Sequence, residues 1–295
     1  MSATTRSLIS EADLRRGHGR LIYRLVLGAL GVAFVLAFLG PLYWMIIGAF
    51  KTPIELAQTP PTILPTSWHP QTYVDAWNRL EVGRYMINTA FYALGGWLIQ
   101  LIVDVAAAYA LSKLRPVLGN VVLGGMLASL MLPAAALLVP AYLTVAEVPI
   151  FGVNLLSTPW ALWLPGAANA FNIYVLKRFF DQIPNDLLDS AGIDGAGRLR
   201  LLWHIILPLS RPVLAVVSIF AIIGSWKDFL WPLLVLQDPE GQTISVALSR
   251  LAETGRVTNN EMFAALAIAS IPMVVLFMIF QRSILNGLSA GALKG

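Results

Sequence analysis

The sequence predicts an all-α membrane protein with six transmembrane helices, and three observations carry that prediction. Only 12% of its 295 residues are charged while 57% are hydrophobic. A soluble domain holds about 25% charged and about 45–50% apolar residues, so lipid must cover much of this surface. Apolar runs of about 18 residues or more, long enough to cross a bilayer as a helix, recur along the chain. The basic residues cluster in the segments between those runs, where they report topology.

The six predicted spans are 22–49, 85–112, 119–146, 157–179, 209–236 and 262–283. The first follows a basic stretch, as a secretory signal would, but its apolar run is longer than the roughly 7–15 residues of a signal core and no small-residue cleavage site follows it. An uncleaved first helix is expected. Arg6, Arg15, Arg16, Arg20 and Arg24 precede it; Lys113, Arg115, Lys177, Arg178, Arg198, Arg200 and Arg211 fall in the second and fourth connections; Arg282 and Lys294 end the chain. All of these sit on one side if six spans alternate, which makes that side cytoplasmic and places both termini there. The opposite connections, 50–84 and 237–261, read either as lids or docking surfaces or as ordered caps on the bundle. Pro133, Pro140, Pro165, Pro232 and Pro272 interrupt the spans. Each removes a backbone donor, and the carbonyl it frees needs a partner from a neighbouring helix or from water in a cavity. The expected organisation is a tail (1–20), a first helix with its outer loop (21–82), a five-helix core (83–284) and a second tail (285–295).

Several function classes are excluded or disfavoured. The sequence has no cysteine, which removes disulfides, thiol catalysis and thiolate metal sites. His18, His69 and His204 have no ligand spacing. The isoelectric point near 9.5 reflects loop charge rather than a nucleic-acid footprint. No triad or carboxylate pair is assembled, and no Gly-x-x-x-x-Gly-Lys-Ser/Thr loop exists to cradle nucleotide phosphates.

The most informative stretch is the connection 181–212. Pro184 and Asn185 open a short helix, with Asn185 expected to cap Asp186–Ile193. Gly192, Gly195 and Gly197 supply a turn. A second, amphipathic helix is expected to present Leu199, Leu202, Trp203 and Ile206 at helical spacing, before Pro208 and Pro212 bend the chain back into the membrane. Ser190, Ala191, Gly192, Gly195 and Ala196 leave the first helix with little side-chain bulk, which suits insertion into a partner's groove. The competing reading is a re-entrant turn that packs on its own bundle.

Asp189-Ser190-Ala191, three residues, Gly195, nine residues, Ile205-Ile206-Leu207-Pro208 resembles the EAA motif of bacterial ABC-importer permeases: Glu-Ala-Ala, three residues, Gly, nine residues, Ile-x-Leu-Pro. The departures are Asp189 for Glu and Ser190 for Ala. Asp194-Gly195-Ala196 is similar to the form found in carbohydrate importers. Met131-Leu132-Pro133, Val139-Pro140-Ala141-Tyr142, Ser157-Thr158-Pro159-Trp160, Trp226-Lys227-Asp228-Phe229 and the ending Gly287–Gly295 resemble the MalG-like group, with Lys227 a departure. The resemblance implies a type I ABC-importer permease fold in the bacterial inner membrane and a cytoplasmic coupling helix carried by Asp189, Ser190, Ala191, Gly192, Asp194, Gly195, Ala196, Leu207 and Pro208. It also implies a second homologous permease, two ATP-binding subunits that hold ATP and Mg, and an extracytoplasmic solute-binding protein. No cofactor and no enzymatic site are expected on this chain.

Candidates for the solute path are Asn88, Asn172, Trp226 and Asp228. Amides can bond sugar hydroxyls, although amides inside spans, Asn169 among them, also tie helices together. Tryptophans can stack on sugars, although at span ends they more commonly form the interfacial belt. Asp104 lies well inside the second span. An intramembrane carboxylate suggests an ion-linked secondary transporter, and the competing reading is a structural hydrogen bond between helices.

Overall fold

The structure is a computed structural model that describes residues 17–292, with side chains described for 18–281. Arg6, Arg15, Arg16 and the ends of both tails lie outside the described residues, and the side chains of Arg282 and Lys294 are likewise not described. Among the described residues the regular structure is entirely helical: α1 (Gly17–Gly48), α2 (Pro53–Leu56), α3 (Gln71–Arg79), α4 (Val82–Tyr109), α5 (Gly119–Ser129), α6 (Ala134–Ala146), α7 (Pro159–Trp163), α8 (Ala170–Asp181), α9 (Asn185–Ile193), α10 (Arg198–Leu201), α11 (Leu207–Leu209), α12 (Arg211–Lys227), α13 (Leu230–Val235), α14 (Ile244–Glu253) and α15 (Asn259–Ala292).

Among the described residues, three helices are long and apolar enough to cross a membrane: His18–Gly48, Val82–Leu114 and Asn259–Gln281. They correspond to the first, second and sixth predicted spans. The third predicted span is the pair α5 and α6, bent by 109° where Pro133 precedes α6. The fifth is α12, which joins the preceding Arg198–Leu209 segment at a bend of 82°. The fourth is not one helix. It divides into α7 and α8 around Pro165 and Gly166, because proline removes a ladder donor there. The late part of the fifth also breaks, between α12 and α13 at Asp228–Phe229.

The chain forms two compact units. One comprises the residues up to Ala76 together with Thr258–Ala267. In it Gly48 faces Phe263 so closely that a Cβ would come within 2.6 Å of the ring. The loop after α1 folds on itself. Lys51 is wholly buried, donates to the Thr62 carbonyl and lies over the Trp44 ring. Glu55 accepts from the Thr62 hydroxyl and the Thr66 amide. This part of the connection is thus an ordered loop.

The second unit, Trp77–Val257 with Ile268 onward, holds the core. Helix α4 packs on α12 and α8. Near the Tyr109 end of α4, Val105, Ala108 and Tyr109 meet Ile173, Leu176 and Phe180 of α8, Leu202, Ile206 and Val217. A second cluster joins Tyr92, Val145, Ala161, Val235 and Leu236. Burial of such side chains contributes about 1.5–3 kcal/mol each, so α4 is the element on which both ends of the core are built.

Candidate functional site

Helix α9 begins at Asn185 rather than after it, with Pro184 in the cap position. The Asn185 side chain is engaged elsewhere: its oxygen accepts from Lys113 Nζ at 3.1 Å, and the same ammonium donates to the Ile183 carbonyl at 2.8 Å. A charged donor makes a stronger hydrogen bond than a backbone amide, so the predicted cap gives way to this contact. At its other end α9 closes in a Schellman turn. Ala196 N–H donates to the Ala191 carbonyl and Gly195 N–H to the Gly192 carbonyl, both at 3.0 Å. Gly195 takes φ +79°, the left-handed conformation this turn requires and glycine adopts without steric cost.

Beyond the turn, α10 leads into a widened π-type turn, Leu202–Ile206, and then α11. Leu202 and Ile206 are buried in the core, and Leu188 and Leu207 pack against it. The opposite face is open: Ile193 is 88%, Leu199 73% and Trp203 66% exposed. A Cβ added at Gly192, Gly195 or Gly197 would meet nothing within 4 Å. Asp189, Ser190, Asp194 and Pro208 are also exposed, while Ala191 and Ala196 are half-buried. The predicted amphipathic set therefore divides, with Leu202 and Ile206 holding the loop down and Leu199 and Trp203 turned outward.

Polar clamps fasten this loop to the end of α4. The Tyr109 hydroxyl donates to the Arg198 carbonyl at 3.0 Å, and the Ser112 hydroxyl donates to Asp181 at 2.7 Å. Lys177 pairs with the other Asp181 oxygen at 2.8 Å. Burial pushes the Asp181 carboxyl up, but the bonds from Lys177 and Ser112 outweigh it and hold the group below the usual carboxylate range. Between the end of α4 and α9 lies a cleft of about 680 Å³, lined by Lys113, Arg115, Asp189 and Arg198 among others.

A second cavity, of about 810 Å³, lies among α4, α6, α7, α8, α12 and α13. Three of its lining residues, Gln100, Asn169 and Asn172, bond Asp104, which is 1% exposed. That carboxylate accepts from the Asn169 amide at 2.8 Å and from the side chains of Asn172 and Gln100. The Asn169 oxygen in turn accepts from Asn172 N–H at 3.0 Å and caps α8. Asp104 thus satisfies the backbone donor that the break in the fourth span leaves free, the structural role weighed for it above. Trp163 lies against Gly95 and Gly96, where a Cβ on Gly95 would come within 2.3 Å of the ring, and its indole donates to the Tyr92 carbonyl at 3.0 Å. Trp231 donates to the Ala161 carbonyl at 3.0 Å.

Of the four path candidates, Asn172 and Asp228 line this cavity and Asn88 and Trp226 do not. Asn88 donates to the carbonyls of Glu240 and Gln242, beside an Arg84–Glu240 ion pair of 2.7 Å, and so ties α4 to the turn before α14. Trp226 is 9% exposed. The cavity also recruits Trp97, Gln100 and Trp163, which sequence reasoning missed. Their signal was present only as the Gly95-Gly96-Trp97 step, which reads as ordinary helix until a ring is seen lying on it.

The profile of the binding-protein-dependent transport system inner membrane component family matches residues 104–289. The chain belongs to that family. It is therefore a multi-pass membrane transport subunit rather than an enzyme. Protein LplC of Bacillus subtilis is 32% identical, over 92% of this chain and 93% of that protein. The sn-glycerol-3-phosphate transport system permease protein UgpE of Yersinia pestis is 30% identical over 86% and 92%. The diacetylchitobiose uptake system permease protein NgcG of Streptomyces coelicolor is 28% identical over 86% and 83%. In fold, the permease is similar to a chain of a bacterial ABC transporter involved in the import of the acidic polysaccharide alginate, with a TM-score of 0.80 at 23% identity, covering 94% of this chain and 99% of that one.

Proposed function

We propose that this chain is a permease subunit of an ATP-driven, binding-protein-dependent importer of carbohydrate-type solutes. It forms half of the translocation path and couples to an ATPase through residues 186–208. The observation that carries the coupling role is the two-faced loop: Leu202 and Ile206 anchored in the core, Ile193, Leu199 and Trp203 open to a partner. A turn packed on its own bundle would cover those side chains, and exposed apolar side chains grouped on one small element favour a docking partner.

In this reading the partner is one of two ATP-binding subunits, which hold ATP and Mg, and the loop and both termini face the cytoplasm. A second homologous permease completes the path, and an extracytoplasmic binding protein delivers the solute. Relatives named for diacetylchitobiose and glycerol-3-phosphate uptake support a polyol or saccharide cargo. So does the name of the second structural neighbour, an alginate ABC transporter in complex with an alginate pentasaccharide-bound periplasmic protein (TM-score 0.51, 16% identity, 92% of this chain and 96% of that one). Closure of the ATPase pair moves α9 as a rigid body. The Tyr109–Arg198, Lys113–Ile183 and Ser112–Asp181 clamps pass that movement to α4 and α8, and Ile206 and Leu207 pass it to α12. The cavity lies between those same helices, so its opening follows.

The test is replacement of Gly195 by Asp and, separately, by Asn. Both residues tolerate positive φ better than other side chains, so the Schellman turn survives at a cost of about 1 kcal/mol or less, and the space beside the Cα is empty within this chain. Normal membrane insertion with ATP-coupled uptake reduced at least about tenfold is expected of both. Wild-type uptake in either variant counts against the docking role.

A further inference from the structure

The cleft between the end of α4 and α9 carries positive charge that the described residues leave unneutralised. Among them its lining holds Lys113, Arg115 and Arg198 against one carboxylate, Asp189, and none of the three forms an ion pair with it. Asp181, at the end of α8, is taken up by Lys177 and the Ser112 hydroxyl. Lys113 donates to two neutral oxygens, those of Ile183 and Asn185, and an ammonium has a third donor. The Arg115 guanidinium makes one bond, from Nε to the Ser112 carbonyl at 3.3 Å. Arg198 lends its backbone carbonyl to Tyr109, and its side chain meets no hydrogen-bond partner among the described residues.

Arg115 also holds a backbone conformation that its side chain disfavours. It closes the π-type turn Ala110–Leu114 that follows α4, with φ +47° and ψ +60° and its N–H on the Ala110 carbonyl at 2.9 Å. Glycine or asparagine is usual at such a helix end, because a larger side chain in the left-handed region crowds its own backbone. The bias of basic residues toward the cytoplasmic side accounts for a cation in this connection, but not for an arginine where glycine fits better. Retained strain points to a function of that side chain. The remaining wall is apolar, since Leu114, Leu188 and Leu201 line the same cleft. Leu114 ends Val82–Leu114, a helix long and apolar enough to cross a membrane, so the cleft opens where that helix leaves the bilayer.

We infer that this cleft binds the headgroup of an anionic phospholipid. Arg115 and Arg198 bring planar guanidinium forks that match phosphate oxygens, Lys113 adds its free donor, and the three leucines meet the first carbons of the acyl chains. Basic pockets beside membrane helices on the cytoplasmic side take headgroups of this kind. The volume of about 680 Å³ falls within the roughly 300–1,000 Å³ of small-molecule sites. One wall belongs to the end of α4 and the other to α9, so a bound headgroup braces the joint that the Tyr109 and Ser112 clamps already hold. This inference rests on the topology of the importer reading given above.

The test uses the complete transporter, with this chain, its partner permease and the ATPase subunits, in detergent. Native mass spectrometry counts the phospholipids it retains from an equal mixture of phosphatidylglycerol and phosphatidylcholine. Phosphatidylglycerol is expected to be retained at least about tenfold over phosphatidylcholine, and Arg115→Gly and Arg198→Gln are each expected to weaken that retention about fivefold. Arg178→Gln, outside the lining, leaves it unaltered. Arg115→Gly also keeps the melting temperature within about 2 °C of wild type, because glycine adopts this turn without strain; a larger fall marks Arg115 as a structural cap and counts against the site. Equal retention of the two lipids, or wild-type retention in both arginine variants, would overturn the assignment. So would displacement of phosphatidylglycerol by an equal concentration of sn-glycerol-3-phosphate, which assigns the cleft to a soluble phosphate. Loss of ATPase subunits from the arginine variants would likewise overturn it, by assigning the cleft to that protein interface. ATP-driven uptake with the binding protein is measured on the same preparation after reconstitution into vesicles. Its absence in the wild type removes the importer reading itself, whereas its persistence confines a negative lipid result to the cleft.

Discussion

Asp104 illustrates how one buried side chain can be assigned by asking which groups it satisfies. Its carboxylate closes the ladder where the fourth span breaks, accepting from Asn169 N–H. The oxygen matters more than the charge, so Asp104→Asn, which keeps an acceptor, is expected to retain ATP-coupled uptake within about threefold of wild type. Asp104→Ala leaves the Asn169 amide without its partner and is expected to destabilise the protein by about 1–3 kcal/mol, seen as a lower melting temperature of the purified complex. Proton-driven uptake by the chain alone, abolished by Asp104→Asn, would instead restore the ion-linked role for this carboxylate. Gly195 shows the same reasoning on the backbone. Its positive φ follows from the Schellman turn that ends α9, so the glycine of the motif has a conformational reason that holds before any partner is considered.

At the scale of elements, the coupling loop and the end of α4 act as one piece because of a few polar clamps, and the one at Asp181 has a defined pH dependence. Its carboxyl is held below the usual range in the folded protein, so its contribution is present above the unfolded value of about 3.9 and is lost as pH falls through the lower folded value. The Lys177–Asp181 pair is partly exposed, which limits the effect to about 1 kcal/mol or less. Asp181→Asn should therefore lower the melting temperature slightly at pH 6 to 7, with an offset that shrinks as pH falls below about 3.9; an offset that does not change with pH would contradict the clamp. The loop itself was legible in the sequence, because its capping residues, glycines and motif spacing lie within one short stretch and act locally. Two details were not. Asn185 was drawn out of its capping role by Lys113, some seventy positions earlier, and the amphipathic set divided because Leu202 and Ile206 alone reach the core. The cavity was hardly legible at all. Its lining comes from six helices, and Asn88, a reasonable candidate by residue type, is engaged by the carbonyls of Glu240 and Gln242, which only folding brings within reach.

For the whole molecule, the distribution of basic residues predicts that both termini and the 181–212 loop share the cytoplasmic side. The absence of native cysteine makes this directly measurable. A membrane-impermeant maleimide applied to intact cells should label Gln58→Cys but label Ser2→Cys and Asp194→Cys only after permeabilisation; labelling of Asp194→Cys in intact cells would invert the topology. The sequence by itself determined that the chain is a helical membrane protein, where most spans lie, and which loop carries the family motif. Those properties follow from transfer of apolar runs into lipid and from residues that act on their near neighbours in the chain. Only the tertiary structure decided that the fourth span is broken, that Asp104 closes the break, and that Trp97 and Asp228 line one cavity. Each of those depends on side chains from distant helices meeting in one low-dielectric space, where a buried donor or charge must find its partner, and no local pattern records which partner that will be.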